Sequence, residues 1–296
     1  MSSKQAVAVL SRPGPHETLR GELALVGLPG ILFTPASGAG LPAVALGHDW
    51  LQPARRYVGL LRHLASWGIV AVAPDTERGP LASHRSLGHD LRTALEVCSR
   101  VRLGGTTRAA AVSVDPSRLA VAGHGMGGGA AVLAAAVPAA RTRVQAVGET
   151  YWETGTDLDL AAVATIALTE SRPSAQEAAR AVHLPGLHIA FGKDLQAPAG
   201  AGAQPVAEAW AGPSTLRTVK KATHMGLVEG RHWSDMVLDG KTQPATRDTV
   251  RALLTGFLLT RLTGDRTYAA IEDGAVKGTD VRTYPNSTMP ALSAGA

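Results

Sequence analysis

The sequence predicts an α/β fold: a mostly parallel central sheet with helices on both faces. Three observations carry this. Short apolar runs bounded by Gly, Pro or Asp alternate with longer segments whose apolar residues recur at helical spacing. Several runs end at informative residues (His48–Trp50, Gly125, Asp194 and His224), and in open α/β sheets ligands meet the carboxyl ends of strands. The 296 residues, 45% hydrophobic, are enough for one large domain with a full core.

Residues 1–20 read as an irregular lead-in, 21–276 as the folded domain, and 277–296 as a flexible tail rich in Gly, Pro, Ser and Thr. Within the domain, Glu22–Val26 and Leu28–Phe33 read as strands around Gly27. Leu41–Leu46 is a strand that runs into Gly47-His48-Asp49-Trp50. Tyr57, Leu60, Leu61 and Leu64 mark a helix closed by Gly68, and Ile69–Ala73 is a buried strand stopped by Pro74-Asp75. Leu87, Leu91, Leu95 and Val97 mark the next helix. Leu119–Ala122 is a strand that enters a glycine-rich turn, and an Ala-rich helix follows to Val137. Val144–Val147 and Val163–Leu168 are both candidates for the strand after that helix. Ser174–Val182 reads as helix, and Leu187–Phe191 as a strand ending at Gly192-Lys193-Asp194. Val206–Trp210 lies in a helix, Leu216–Val219 is a strand ending near Thr223-His224, and Thr246–Leu262 is a long terminal helix.

Composition narrows the function classes. The net charge of +5 is scattered, densest at Arg55-Arg56 and Lys220-Lys221, and aromatics are 4% of the chain, so a nucleic-acid partner is not expected. The single cysteine, Cys98, excludes an internal disulfide. No stretch has the length of a membrane span and the first apolar run is short for a signal peptide, so a cytoplasmic protein is expected. His48, His84, His89 and His232 lack metal-ligand spacing, and neither a metal nor a cofactor is expected.

The turn Gly123-His124-Gly125-Met126-Gly127-Gly128-Gly129 fits two patterns. Gly123, Gly125 and Gly128 spell the Gly-x-Gly-x-x-Gly dinucleotide fingerprint, for which Glu149 beyond Val144–Val147 supplies an acid at workable spacing. Gly123, His124, Met126 and Gly127 fit the nucleophile elbow Gly-x-Ser-x-Gly, with glycine where serine belongs. The order elbow, acid, histidine (Gly125, Asp194, His224) favours the second pattern. Several elements also precede the turn, whereas the fingerprint normally sits on the first strand of its unit.

From about Pro42 to about Leu262 the sequence resembles the cutinase-type polyester hydrolases and the related dienelactone-hydrolase-like esterases of the α/β-hydrolase superfamily. The resemblance rests on Gly123–Gly129, on Ile69–Thr76, on Asp115–Val121, on Gly192–Pro198 and on Ala222–His224. It implies an α/β-hydrolase fold with no large cap domain and a carboxylic-ester hydrolase ancestry. It also implies roles: Gly125 at the nucleophile position, His224 as general base and Asp194 holding its tautomer. The Met126 N–H, with an N–H at His48 or Asp49, would form the oxyanion hole, and Trp50 and Trp152 would wall a small ester or acyl ligand. The family's polyester hydrolases tend to be secreted and disulfide-bonded; one cysteine departs from that, and polymer cleavage is not implied. Glycine has no side chain to attack a carbonyl. The expectation is therefore an inactive or weakly active ester hydrolase, with a ligand-binding or scaffolding pseudoenzyme and, behind it, a dinucleotide-binding protein as alternatives.

Overall fold

The computed structural model describes residues 1–104, 111–137, 142–146, 149–153, 158–236 and 241–285. The chain runs α1 (Ser3–Leu10), β1 (Thr18–Glu22), β2 (Gly30–Pro35), β3 (Leu41–Gly47), α2 (Val58–Ser66), β4 (Val70–Pro74) and α3 (His84–Arg100). It continues β5 (Val114–His124), α4 (Met126–Ala136), β6 (Thr142–Ala146), β7 (Glu149–Glu153), β8 (Leu160–Ile166) and α5 (Ala175–Ala179). Then follow β9 (Gly186–Phe191), α6 (Ala203–Ala209), β10 (Ser214–Val219), α7 (Pro244–Thr263), α8 (Ala270–Asp273) and β11 (Thr279–Tyr284).

Nine strands form one sheet in the order β1-β2-β4-β3-β5-β8-β9-β10-β11. The interior pairs from β4 to β10 are parallel, while β1/β2, β2/β4 and β10/β11 are antiparallel. The central strands are apolar on both faces because both faces are covered. On β5, Ala120 and Ala122 pack toward α1, α2 and α7, while Leu119 and Val121 pack toward α3, α4 and α6. The same alternation separates Val44 and Leu46 from Ala43 and Ala45 on β3. Each valine and leucine among these contributes roughly 1.5–3 kcal/mol on burial and the alanines less, so the β3–β5 centre is a firm base for whatever stands at its carboxyl end.

Three expectations are corrected. Residues 3–10 are not irregular: Ser2 caps α1 in a reciprocal capping box with Gln5, and Ala6 and Leu10 are buried in the core shared with α7. Leu23–Val26 is a 3₁₀ turn rather than a strand, and the edge strand lies earlier, on Thr18–Glu22, paired with Ile31–Pro35. The start of the supposed tail is β11, which covers the edge of β10 from Val219↔Thr279 to Ser214↔Tyr284. Of the two candidates for the strand after α4, β8 joins the central sheet beside β5. The residues of the other fall mainly in β6, which pairs with β7 in a separate two-stranded sheet.

Candidate active site

The β5–α4 junction turns sharply at Gly125, which takes φ 53° and ψ −116°. That is a left-handed conformation that strains an ordinary residue and suits glycine. The turn closes because its neighbours also lack side chains: a Cβ on Gly123 would lie 1.9 Å from the Gly127 carbonyl oxygen, and one on Gly127 2.2 Å from that of Gly47. The elbow geometry is thus retained without its serine.

The dinucleotide reading fails on this geometry. A βαβ unit needs the strand after α4 to lie parallel in the same sheet, but β6 and the β7 strand that starts at Glu149 form an antiparallel hairpin of their own. Gly123 and Gly127 are spent on backbone packing, and the Met126 N–H at the helix start already has an acceptor.

That acceptor is the side chain of Asp49, from the carboxyl end of β3. Its Oδ1 accepts the Met126 N–H at 2.9 Å and its Oδ2 accepts the His224 Nε2–H at 3.0 Å. On its other side His224 donates Nδ1–H to Asp194 Oδ2 at 2.7 Å. Asp194, in the turn after β9, is held by the N–H groups of Gln196 and Ala197 on its Oδ1, at 2.9 and 2.8 Å. His224, after β10, is fully buried, and the Asp49 and Asp194 side chains are 3% and 0% exposed. A Cβ placed on Gly125 would meet Asp49 Oδ1 at 1.8 Å. The carboxylate therefore fills the space left by the missing elbow side chain.

The electrostatics follow from this sandwich. Burial disfavours a charged His224, but Asp49 and Asp194 overcome it and raise its pKa well above the usual histidine range. Burial likewise disfavours the Asp49 carboxylate, and the charge and hydrogen bond of His224, with His124 and the Met126 N–H, overcome it and hold its pKa below the usual range. The resting site is carboxylate, imidazolium, carboxylate.

A second path joins the same residues. The Asp49 N–H donates to Tyr57 Oη at 3.0 Å, and Tyr57 Oη lies 2.9 Å from His124 Nδ1. His124 Nε2 lies 3.1 Å from the His224 carbonyl oxygen. Burial and the charge on His224 lower the His124 pKa to about 4, so His124 is neutral, with Nε2–H donating to His224 and Nδ1 accepting from Tyr57. The Asp49 N–H expected for an oxyanion hole is consequently engaged elsewhere, as is the Met126 N–H. The His48 ring spans the carbonyl oxygens of Asp49 and Thr76 at 2.9 and 2.6 Å and fixes the loop. Trp50 is 38% exposed, with Nε1 3.4 Å from the Pro80 oxygen, and is not part of the buried cluster. Trp152 stands on β7 opposite Arg143; its side chain lies outside the described residues. Sequence reasoning singled out Asp49 for its backbone and missed its carboxylate and Tyr57. The available signal was an acid at a strand's carboxyl end in a chain whose elbow lacks a side chain.

A mostly parallel sheet, an elbow between strand and helix, and an acid and a histidine after the last two parallel strands define an α/β-hydrolase of ester-hydrolase type. The family model described as PETase, PET hydrolase-like, matches residues 29–185, more than half of the chain, and the protein belongs to that family. No curated protein matches the sequence. Among the described residues no helix is long and apolar enough to cross a membrane, and no cluster of His, Cys, Asp and Glu is built to hold a metal.

Proposed function

We propose that this chain is an ester hydrolase homologue without an elbow serine that forms no acyl-enzyme there and turns over small esters slowly or not at all. The observation that carries this is the Asp49 carboxylate standing against Gly125 and bonded to both Met126 N–H and His224. An acyl transfer needs a nucleophile, a base and an oxyanion donor. Here Gly125 offers no nucleophile, His224 is an imidazolium with no lone pair to accept a proton, and the Met126 N–H is occupied. Asp194 keeps the role of orienting His224. A small ester or acyl ligand reaches Met126 and His224 only when Asp49 gives way, so the chain is a poor esterase and a weak binder of such ligands. A cytoplasmic setting suits Cys98, which is buried, makes no disulfide and has its pKa pushed up by burial to about 12.

The test is a fluorophosphonate probe on the intact protein, beside 4-nitrophenyl acetate hydrolysis by the wild type and His224→Ala. No labelling is expected, and any slow hydrolysis should fall with His224→Ala. Stoichiometric labelling of a serine would overturn the proposal.

A further inference from the structure

Two features that stand out in the sequence have no part in the buried site: Trp50 and the basic pair Arg55-Arg56. Both lie just after β3, and that segment belongs to an exposed apolar and basic rim. Trp50 is 38% exposed, Leu81 97% and Trp233 56%. They follow β3, β4 and β10, which run parallel, so all three stand at the end of the sheet that carries the elbow. Hydrogen bonds join their loops. Trp50 Nε1 donates to the Pro80 oxygen at 3.4 Å, next to Leu81. Gln52 Nε2 donates to Ser234 Oγ at 2.8 Å, next to Trp233. Buried Arg56 reaches from the same segment to the Asp235 carboxylate and to the carbonyl oxygens of Glu229 and Gly230. The three tips therefore share one hydrogen-bonded footing.

The charge on these loops is one-sided. Arg55 and Arg231 are exposed and have no ion-pair partner among the described residues, and Arg78 is half-exposed. The acids of the same loops are engaged. Asp75 accepts the Ala54 N–H and meets Arg78 at 3.4 Å, Glu77 accepts the Ser83 N–H, Glu229 pairs with Arg251 and Asp235 with Arg56. His232, beside Trp233, has its pKa lowered by burial first and then by Arg56 and Arg55, so their positive field reaches the Trp233 loop.

Large apolar side chains gathered at one end of a molecule mark a surface that something covers. The occupant follows from their form and from the charge beside them. A leucine exposed to 97% projects beyond its neighbours instead of lining a groove, which suits a deformable apolar phase better than a shaped protein partner. Indoles carry an apolar body and a polar N–H, and settle where a bilayer turns from acyl chain to headgroup. Unpaired arginines are drawn to anionic headgroups. We propose that this rim docks the protein on an anionic phospholipid bilayer, with Trp50, Leu81 and Trp233 at the headgroup boundary and Arg55, Arg78 and Arg231 against the lipid anions. The contact is peripheral and turns the elbow end of the sheet toward the bilayer. It does not depend on whether the elbow hydrolyses esters.

The test is co-sedimentation of the full chain with vesicles of mixed phosphatidylserine and phosphatidylcholine, beside vesicles of phosphatidylcholine alone. The expected result is binding to the mixed vesicles that weakens as salt is raised, with a blue shift of tryptophan fluorescence that Trp50→Phe with Trp233→Phe removes. Leu81→Asp with Trp233→Asp should weaken binding by roughly 10²-fold through lost insertion. Arg55→Ser with Arg231→Ser should weaken it by roughly ten-fold or more, while leaving the weak affinity for phosphatidylcholine unchanged. All four side chains are exposed, so each variant should melt with the wild type. Failure to sediment with phosphatidylserine, equal binding to both kinds of vesicle, or binding untouched by both double variants would overturn the proposal. So would a wild-type dimer by light scattering that Leu81→Asp with Trp233→Asp turns into monomer, because the rim would then cover a second copy of the chain.

Discussion

His188 lies on β9 and His224 in the turn that follows the neighbouring strand β10, and both are fully buried, yet they hold different charge states. His188 has Thr165 Oγ1 3.0 Å from its Nδ1, the Trp210 ring edge-on at 4.8 Å, and no partner for Nε2 among the described residues. Burial alone lowers its pKa to about 3, so it is neutral. His224 suffers the same burial but lies between Asp49 and Asp194 and is charged. Burial fixes the size of the electrostatic stake; the carboxylates decide its sign. In this protein the deciding carboxylate on one side comes from the loop after β3 and not from the catalytic pattern.

The comparison breaks most strongly if His224 loses a carboxylate while staying buried. Asp194→Ala leaves an imidazolium facing an apolar gap, and removing one partner of a buried pair costs roughly 3–5 kcal/mol. Urea unfolding should show a loss of that order. A loss within a few tenths of a kcal/mol would mean that His224 discards its proton freely and is no different from His188.

Taking away the other carboxylate should convert His224 into a base. Gly125→Ser alone is expected to gain no esterase activity, because the new Cβ would meet Asp49 Oδ1 at 1.8 Å and the Met126 N–H would stay occupied. Gly125→Ser with Asp49→Ala opens the space, frees the oxyanion donor and leaves Asp194 alone to orient a neutral His224. Hydrolysis of 4-nitrophenyl acetate should rise by roughly 10²-fold or more over Gly125→Ser. Equal rates for the single and double variants would show that Asp49 does not obstruct the site.

The two histidines also act on opposite sides of neutrality. A histidine whose pKa is lowered by folding lets the unfolded chain bind the extra proton, so its stability contribution falls as pH drops below the ordinary value of about 6.5. His188, His124 and His63 act this way, with folded values of about 3, 4 and 4. His224 is raised toward about 10, so its contribution is complete below the ordinary value and is lost as pH rises toward that point. Thermal melts should peak near neutrality and decline on both sides, each group adding a slope of about 1.4 kcal/mol per pH unit in its own window. A melting temperature still rising between neutrality and pH about 9 would contradict the charged His224.

Much of the fold was legible in the sequence because the buried parallel strands are near-continuous apolar runs. The order of elbow, acid and histidine followed from which residues close those runs. The edges were less legible. β1 has a half-exposed pattern, β11 alternates weakly, and β11 is fixed by pairing with a strand distant in sequence. In α1 only Ala6 and Leu10 are buried, and they are recruited by α7. The Asp49 carboxylate was hidden for a different reason. Its place depends on a gap beside Gly125, on another strand, and a gap left by an absent side chain has no local signature.

The smallest expected effect sharpens the neutral half of the comparison. Thr165 on β8 supplies a side-chain hydrogen-bond partner to His188 Nδ1, at 3.0 Å, and Thr165 is itself fully buried. Thr165→Val keeps the branched shape and removes the hydroxyl. If His188 is neutral, the variant loses one ordinary hydrogen bond between uncharged groups, worth about 1 kcal/mol net. Some of that loss is recovered because valine desolvates no hydroxyl and suits a strand. If His188 carried a proton instead, Thr165 would be accepting from an uncompensated buried cation, and removing it would cost as much as breaking the His224 pair. Urea unfolding of Thr165→Val beside Asp194→Ala therefore reads the two charge states directly. A loss near 1 kcal/mol beside one of roughly 3–5 kcal/mol supports the contrast, and equal losses would abolish it.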